Sequence, residues 1–308
     1  MTAICRCRGR MPLMVSAVVT MISLSFFFIT AHPSYSVGDE SPLTEEILGS
    51  LLESYSPVLS FDSGERVFPM AVEYFISSSW LMRADGPAPV VVKETVNKSD
   101  MSVYSAPFFF LDDQMGTLGD RGAITAYESR SGASENILYG RAWETDDVII
   151  LQYWSFYVFN NGPMNSHEGD WELIQIFLDR ASMRPDRIML SQHHSGEAAE
   201  WSDVECLDSH PVIYVALGSH AQYLTSERAG IWGDRADGSG PCLFPGDYTI
   251  TFLDETSKWL EFSGRWGEWG GTLGAILGTR GPEGPKFRGG GGMWDGLEWA
   301  ENLPPYVP

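Results

Sequence analysis

Thirteen residues, VIILQYWSFYVFN (148–160), constrain the fold more than any other stretch. They are apolar at nearly every position and rich in β-branched and aromatic side chains. A half-exposed strand would alternate apolar with polar; this run does not, and it reads as a strand buried on both faces. Similar runs surround it: NILYGRAWE (136–144), DWELIQIFLD (170–179), RIMLSQHH (187–194) and PVIYVALGSH (211–220). Near-sequential strands joined by short turns predict a mainly β chain built as an antiparallel β-sandwich.

Helices are expected only near the start. Ser41-Pro42 has the form of an N-cap followed by a first-turn proline, and Ile47, Leu48, Leu51, Leu52 and Tyr55 recur at helical spacing. This predicts a helix over 42–54, with a second over 69–82. SPVLSF (56–61), VVVK (90–93), VYSAPFFFL (103–111) and GAITAYES (122–129) read as short strands. The C-terminal part reads as two strands among long loops rich in glycine and tryptophan. Those tryptophans need a surface to pack on, so residues 37–308 are expected to form a single domain.

Residues 1–36 are set apart. Arg6, Arg8 and Arg10 precede an apolar run from Met11 to Ala31, and Ser34 and Ser36 have small-residue spacing before a cut. That is the layout of a secretory signal peptide; uncut, residues 11–31 would anchor the chain with its domain outside. Three of the 20 basic residues and none of the 41 acidic ones lie in 1–36, so the exported part carries a net charge of −24. Such a chain repels nucleic acid, which is excluded as a partner. Two cysteines remain after the leader, and in an oxidising compartment they predict one disulfide, Cys206–Cys242.

Function centres on SHEGDWEL (166–173). Five histidines follow the leader, and four of them fall in HEGDWE, SQHHSGE and GSHAQY, all at predicted strand ends. Alternation puts Asp170 and Glu172 on one face of their strand and Trp171 on the other, toward the core. A hairpin centred near Ser182-Met183 would set Glu172 opposite His194, beside His193 and Glu197. His220 lies just past its own strand and would join if that strand is a neighbour.

Carboxylates with imidazoles do one of two things. They hold a divalent cation (calcium, magnesium and manganese suit oxygen ligands, zinc suits histidine), with His167, Asp170, Glu172, His193 and His220 as ligands. Or they transfer protons, with His193 or His220 as the base; a metal hydrolase would combine the two. The third alternative is a purely structural knot of polar strand ends. The chain has no G-x-S-x-G, H-E-x-x-H or P-loop, which argues against a standard serine hydrolase or zincin.

Four segments in order, YSPVLSFDSGERVFPMAVEYF, HEGDWELIQIFL, LSQHHSGEAAEW and HPVIYVALGSHAQY, resemble the vacuolar-protein-sorting-associated protein 62 family over residues 55–225. That family's molecular activity is unassigned. HHSGEAAEW departs from its more compact S-G-G-E-W. A second resemblance is to necrosis-inducing, cytolysin-like secreted proteins, whose H-x-x-D-W-E core is matched by His167, Asp170, Trp171 and Glu172. It implies a β-sandwich in which such acids hold a divalent cation that helps engage membrane lipids. Together these readings point to an exported protein whose acid–histidine cluster binds a cation and engages a lipid headgroup or glycan at a surface.

Overall fold

The computed structural model describes residues 41–116, 121–162, 166–193, 195–226, 233–268 and 280–302. The leader or anchor of residues 1–36 lies outside them. No helix among the described residues is long and apolar enough to cross a membrane.

The described residues are mainly β, arranged in three sheets. The largest has six strands in the order β14 (Thr249–Phe252), β5 (Ile137–Glu144), β6 (Val148–Asn160), β7 (His167–Asp179), β8 (Arg184–Gln192) and β9 (Ser195–Glu200). A second runs β10 (Cys206–Leu207), β11 (His210–Val215), β1 (Val58–Phe61) and β13 (Cys242–Leu243), with β12 (Gln222–Tyr223) also on β11. The third runs β15 (Arg265–Trp266), β4 (Phe109–Asp113), β2 (Ser79–Arg83) and β3 (Val90–Lys93). Each sheet contains one parallel pair, β5–β14, β1–β11 and β4–β15. The sheets are therefore mixed, where the sequence predicted antiparallel pairing throughout. The parallel partners come from distant parts of the chain, which a reading of successive strands and turns does not reveal.

The central run forms β6 over 148–160, buried at every position after Val148. Helix α1 spans Glu45–Ser54, capped by the Thr44 side chain on the Ile47 N–H. Helix α2 is shorter than expected, Val72–Ser78. Its end is a serine run: the Ser78 hydroxyl bonds the Tyr74 carbonyl and the Ser79 hydroxyl bonds that of Phe75. Such back-bonding weakens a helix, and Ser79–Arg83 leave it to pair with β4. A short helix α3 (Lys98–Val103) follows.

GAITAYES is not a strand. It lies in helix α4, Arg121–Ala133. Ala123, Tyr127 and Ser131 are its buried positions, spaced four apart as one face of a helix requires.

The predicted disulfide is absent. Cys206 on β10 and Cys242 on β13 are separated by β11 and β1, three strand spacings apart. At about 4.8 Å per spacing that is roughly 14 Å, twice the roughly 7 Å limit for bridging. Cys206 is a free thiol, and burial with the nearby Glu205 charge pushes its pKa up to about 11.

Candidate functional site

The motif segment forms the first half of β7. Its cross-strand partners on β6 are Phe159 for Glu168, Tyr157 for Asp170 and Ser155 for Glu172. Directly opposed residues share a face, so three acids stand in a row on one side of the sheet, roughly 7 Å apart along the strand. All three are buried. Trp171 points the other way, into a cluster with Trp154, Phe156, Trp259 and Trp266.

The motif glycine has a steric task. Gly169 has φ +60°, and a Cβ there would lie 2.2 Å from the Trp266 carbonyl oxygen. Gly267 answers it across the contact, with φ +134° and a Cβ position 2.2 Å from the Glu168 carbonyl oxygen. Backbone meets backbone, so neither neighbour can swing aside. Gly169→Ala is expected to destabilise by about 3 kcal/mol, from overpacking plus left-handed backbone strain, and urea unfolding measures it.

Each acid of the row has different company. Glu172 accepts from the Ser191 hydroxyl, and its Oε1 lies 3.4 Å from Arg288 Nη2. Arg288 also donates to the carbonyls of Trp171 and His193. Burial pushes the Glu172 carboxyl well above the usual range, against the Arg288 charge. Asp170 Oδ2 is 3.0 Å from His220 Nδ1 and 3.0 Å from Asn160 Nδ2. Burial raises this carboxyl too, but the His220 hydrogen bond and the charges of His167, His220 and Arg288 outweigh it and hold it low.

Among the described residues Glu168 has no cationic partner. Its Oε1 accepts from the Tyr127 hydroxyl at 2.5 Å, and its Oε2 accepts from the N–H groups of Asp113 at 3.2 Å and Glu268 at 3.1 Å. Helix α4 supplies Tyr127, which stacks on Phe159 at 4.8 Å. One carboxylate oxygen from each of Asp112, Glu168 and Glu268 lies within 4.8 Å of the others. Burial, with the charges of Glu268 and Asp112 added, pushes the Glu168 carboxyl well above its ordinary value.

The histidines divide among separate partners. His220 is brought to Asp170. His193 instead sits in the hairpin turn between β8 and β9, where Gln192 pairs with Ser195, and it has φ +53°. Its Nε2 lies 2.7 Å from Asp234 Oδ2, and Asp234 also accepts from Ser219 and Tyr223 at 2.7 and 2.6 Å. Burial pushes Asp234 up, but these three hydrogen bonds outweigh it and lower its pKa. His167 Nδ1 faces the Gly169 carbonyl at 2.7 Å, and burial lowers its pKa. Glu197 Oε1 accepts from the Leu224 N–H at 3.1 Å.

His194 lies outside the described residues, and the described register differs from the one expected. Asp179 pairs with Arg184 and a bulge follows at Phe177/Leu178, so Ile174 faces Leu190. That register sets residue 172 level with 192. The hairpin turns earlier than a centre at 182–183 requires, because Asp179 Oδ1 accepts from the Ser182 N–H and closes the loop over 180–183.

Several site residues are not visible in the motif. Asp112, Tyr127, Asp234, Glu268 and Arg288 come from five other segments, joined to β7 only by the fold. The spacing of Ala123, Tyr127 and Ser131 was the one local signal, since it marks a helix carrying an inward-facing tyrosine.

No family model matches the chain and no curated protein matches it, so the vacuolar-sorting 62 resemblance rests on the four motif segments alone. Solved structures do show a likeness. One is described as a toxin fold for microbial attack and plant defence, with 14% identity, 60% of this chain and 71% of that chain covered, and a TM-score of 0.35. Another is necrosis and ethylene inducing protein 2 from the agent of cocoa's witches' broom disease, with 15% identity, 62% and 74% covered, and a TM-score of 0.34. A third, NLPPya in complex with glucosamine, has 13% identity, 60% and 72% covered, and a TM-score of 0.34.

Proposed function

We propose that this is an exported, cation-dependent binding protein. Residues 1–36 direct export, and 37–308 act as one domain that uses a bound divalent cation to engage a lipid headgroup or glycan at a surface. The supporting observation is the buried acid row of β7, above all Glu168, whose carboxylate converges with those of Asp112 and Glu268. Carboxylates this close, with Glu168 in low dielectric, must be neutralised by protons or by a cation. The ligand atoms are all oxygen, and their mutual distance of at most 4.8 Å fits within two calcium–oxygen bonds of about 2.3–2.6 Å. Calcium is the first candidate, with manganese and magnesium after it.

The test is elemental analysis and thermal shift on the full chain recovered after export, with each cation and with chelator. The expected result is one calcium per chain and a clear rise in Tm, both lost in Asp112→Asn and Glu168→Gln. The loaded protein would then be assayed on anionic and sphingolipid vesicles and on immobilised amino sugars. Absence of both stoichiometric cation and any shift would overturn the proposal.

A further inference from the structure

The segment Asn97-Lys98-Ser99 has no part in the cation site. It has the form Asn-x-Ser without proline in the middle, the acceptor sequence for asparagine-linked glycosylation of an exported chain. No other asparagine of the chain is followed two residues on by serine or threonine. The segment opens α3, and all three of its residues are exposed.

The two ends of the Asn97 carboxamide differ. Oδ1 accepts from the Ser99 N–H at 3.0 Å and from the Ser99 hydroxyl at 2.5 Å. Nδ2 makes no hydrogen bond among the described residues. A substituent on Nδ2 therefore leaves the Oδ1 bonds in place, and the backbone N–H of Asn97 keeps the Asp100 carboxylate at 2.9 Å.

The neighbourhood is an open sheet edge. β3 pairs with β2 on one side and, among the described residues, with no strand on the other. Such an edge offers unpaired N–H and C=O groups to any second strand. Val90 and Val91 on β3 are 47% and 42% exposed, Tyr74 on α2 is 50% exposed and Val103 on α3 is 74% exposed. These are four of the seven large apolar side chains that stand exposed among the described residues, so the edge is apolar as well as open. Two ion pairs gather them around Asn97. Lys93 Nζ, at the end of β3, lies 2.5 Å from Asp100 Oδ1 on α3, and Lys98 Nζ lies 2.5 Å from Glu73 Oε1, beside Tyr74. Asn97 follows Lys93 by four residues, a span of at most about 14 Å.

We propose that Asn97 accepts an asparagine-linked oligosaccharide during export and that this sugar shields the open edge at β3. The inference rests on the export of residues 37–308 and not on the cation site. The donor is an oligosaccharide carried on a polyprenyl diphosphate. Nδ2 bonds to the anomeric carbon and gives up one proton. The bond from that carbon to the diphosphate oxygen breaks, and the lipid diphosphate leaves with the electron pair. A bulky, hydrated sugar beside β3 blocks the edge-to-edge pairing that Val90 and Val91 favour.

The experiment expresses the full chain in a eukaryotic secretory host and weighs the exported protein before and after peptide-N-glycosidase. The expected result is one glycan per chain, with residue 97 read as aspartate in its peptide after release. Ser99→Thr should keep the sugar. Asn97→Asp retains an oxygen for the two Ser99 donors, so it should fold, and it should carry none. By size exclusion with light scattering, Asn97→Asp should self-associate about tenfold more tightly than the parent, and adding Val91→Lys should reverse this. Export of an unmodified parent overturns the inference and leaves the export reading standing. A parent retained in the cell without sugar overturns both. A glycosylated parent that associates as tightly as Asn97→Asp overturns the shielding role.

Discussion

Trp171→Ala is expected to remove about 3–5 kcal/mol of folding stability, a third or more of what a typical domain has. The indole is fully buried and sits at the centre of an aromatic cluster. It stacks on Trp259 at 5.5 Å, meets Trp266 edge-on at 5.4 Å, and lies 5.0 Å from Phe156 and 5.9 Å from Tyr139. Alanine would leave a cavity that rings held by two sheets cannot collapse into. Trp171→Phe is expected to cost far less, under about 1.5 kcal/mol, because the indole N–H has no hydrogen-bond partner among the described residues to lose. Urea unfolding of both variants checks this. If alanine left stability intact and abolished ligand binding, the motif tryptophan would be a contact residue and not part of the core.

The cation-free protein is expected to lose stability as pH rises, and calcium is expected to cancel the loss. The folded-state pKa values of Glu168 and Glu172 are raised well above normal, chiefly by burial. Groups shifted this way contribute stability fully below the unfolded value, about 4.3 for glutamate, and lose it as pH climbs through the folded value. Asp170 and Asp234 are shifted down, so their contribution is present above the ordinary carboxylate range and lost as pH falls. The chelated protein should therefore be most stable in mildly acidic solution. Calcium binds the ionised form, and at a hundred times its Kd it would restore about 2.7 kcal/mol.

Glu168→Gln separates the two effects. Its carbonyl can keep the N–H groups of Asp113 and Glu268, while its amide can donate to the Tyr127 oxygen. The shape survives and the charge goes. This variant should lose less Tm at alkaline pH than the chelated parent, keeping only the Glu172 part of the loss, and should ignore calcium. Melting curves from about pH 4 to about pH 9, with chelator and with calcium, test the linkage. A chelated parent whose Tm is flat on the alkaline side would show that the acid row is already neutralised by the protein itself.

Much of the local structure was legible. The run 148–160 announced a doubly buried strand because no polar alternation interrupts it, and β6 has those bounds. Local patterns misled where they were ambiguous or were overridden. GAITAYES has a strand-like composition, but its four-residue spacing buries one face of a helix. The serines at 77–79 could continue a helix or end it, and pairing with β4 decided the matter.

The sequence by itself determined which strands are buried and that His167, Glu168, Asp170, Trp171 and Glu172 sit together at a strand's start. Those properties follow from side-chain volume, polarity and the two-residue period of a strand. Only the tertiary structure decided which partner each chemical group meets. Asp170 meets His220, fifty residues on, and Glu172 meets Arg288, 116 residues on. Glu168 meets Asp112 and Glu268, and His193 meets Asp234. These pairings depend on a hairpin register set by one bulge and on crossovers between distant strands. A shift of two residues re-pairs every side chain while leaving the pattern of apolar and polar letters unchanged, so only the packed fold could choose among them.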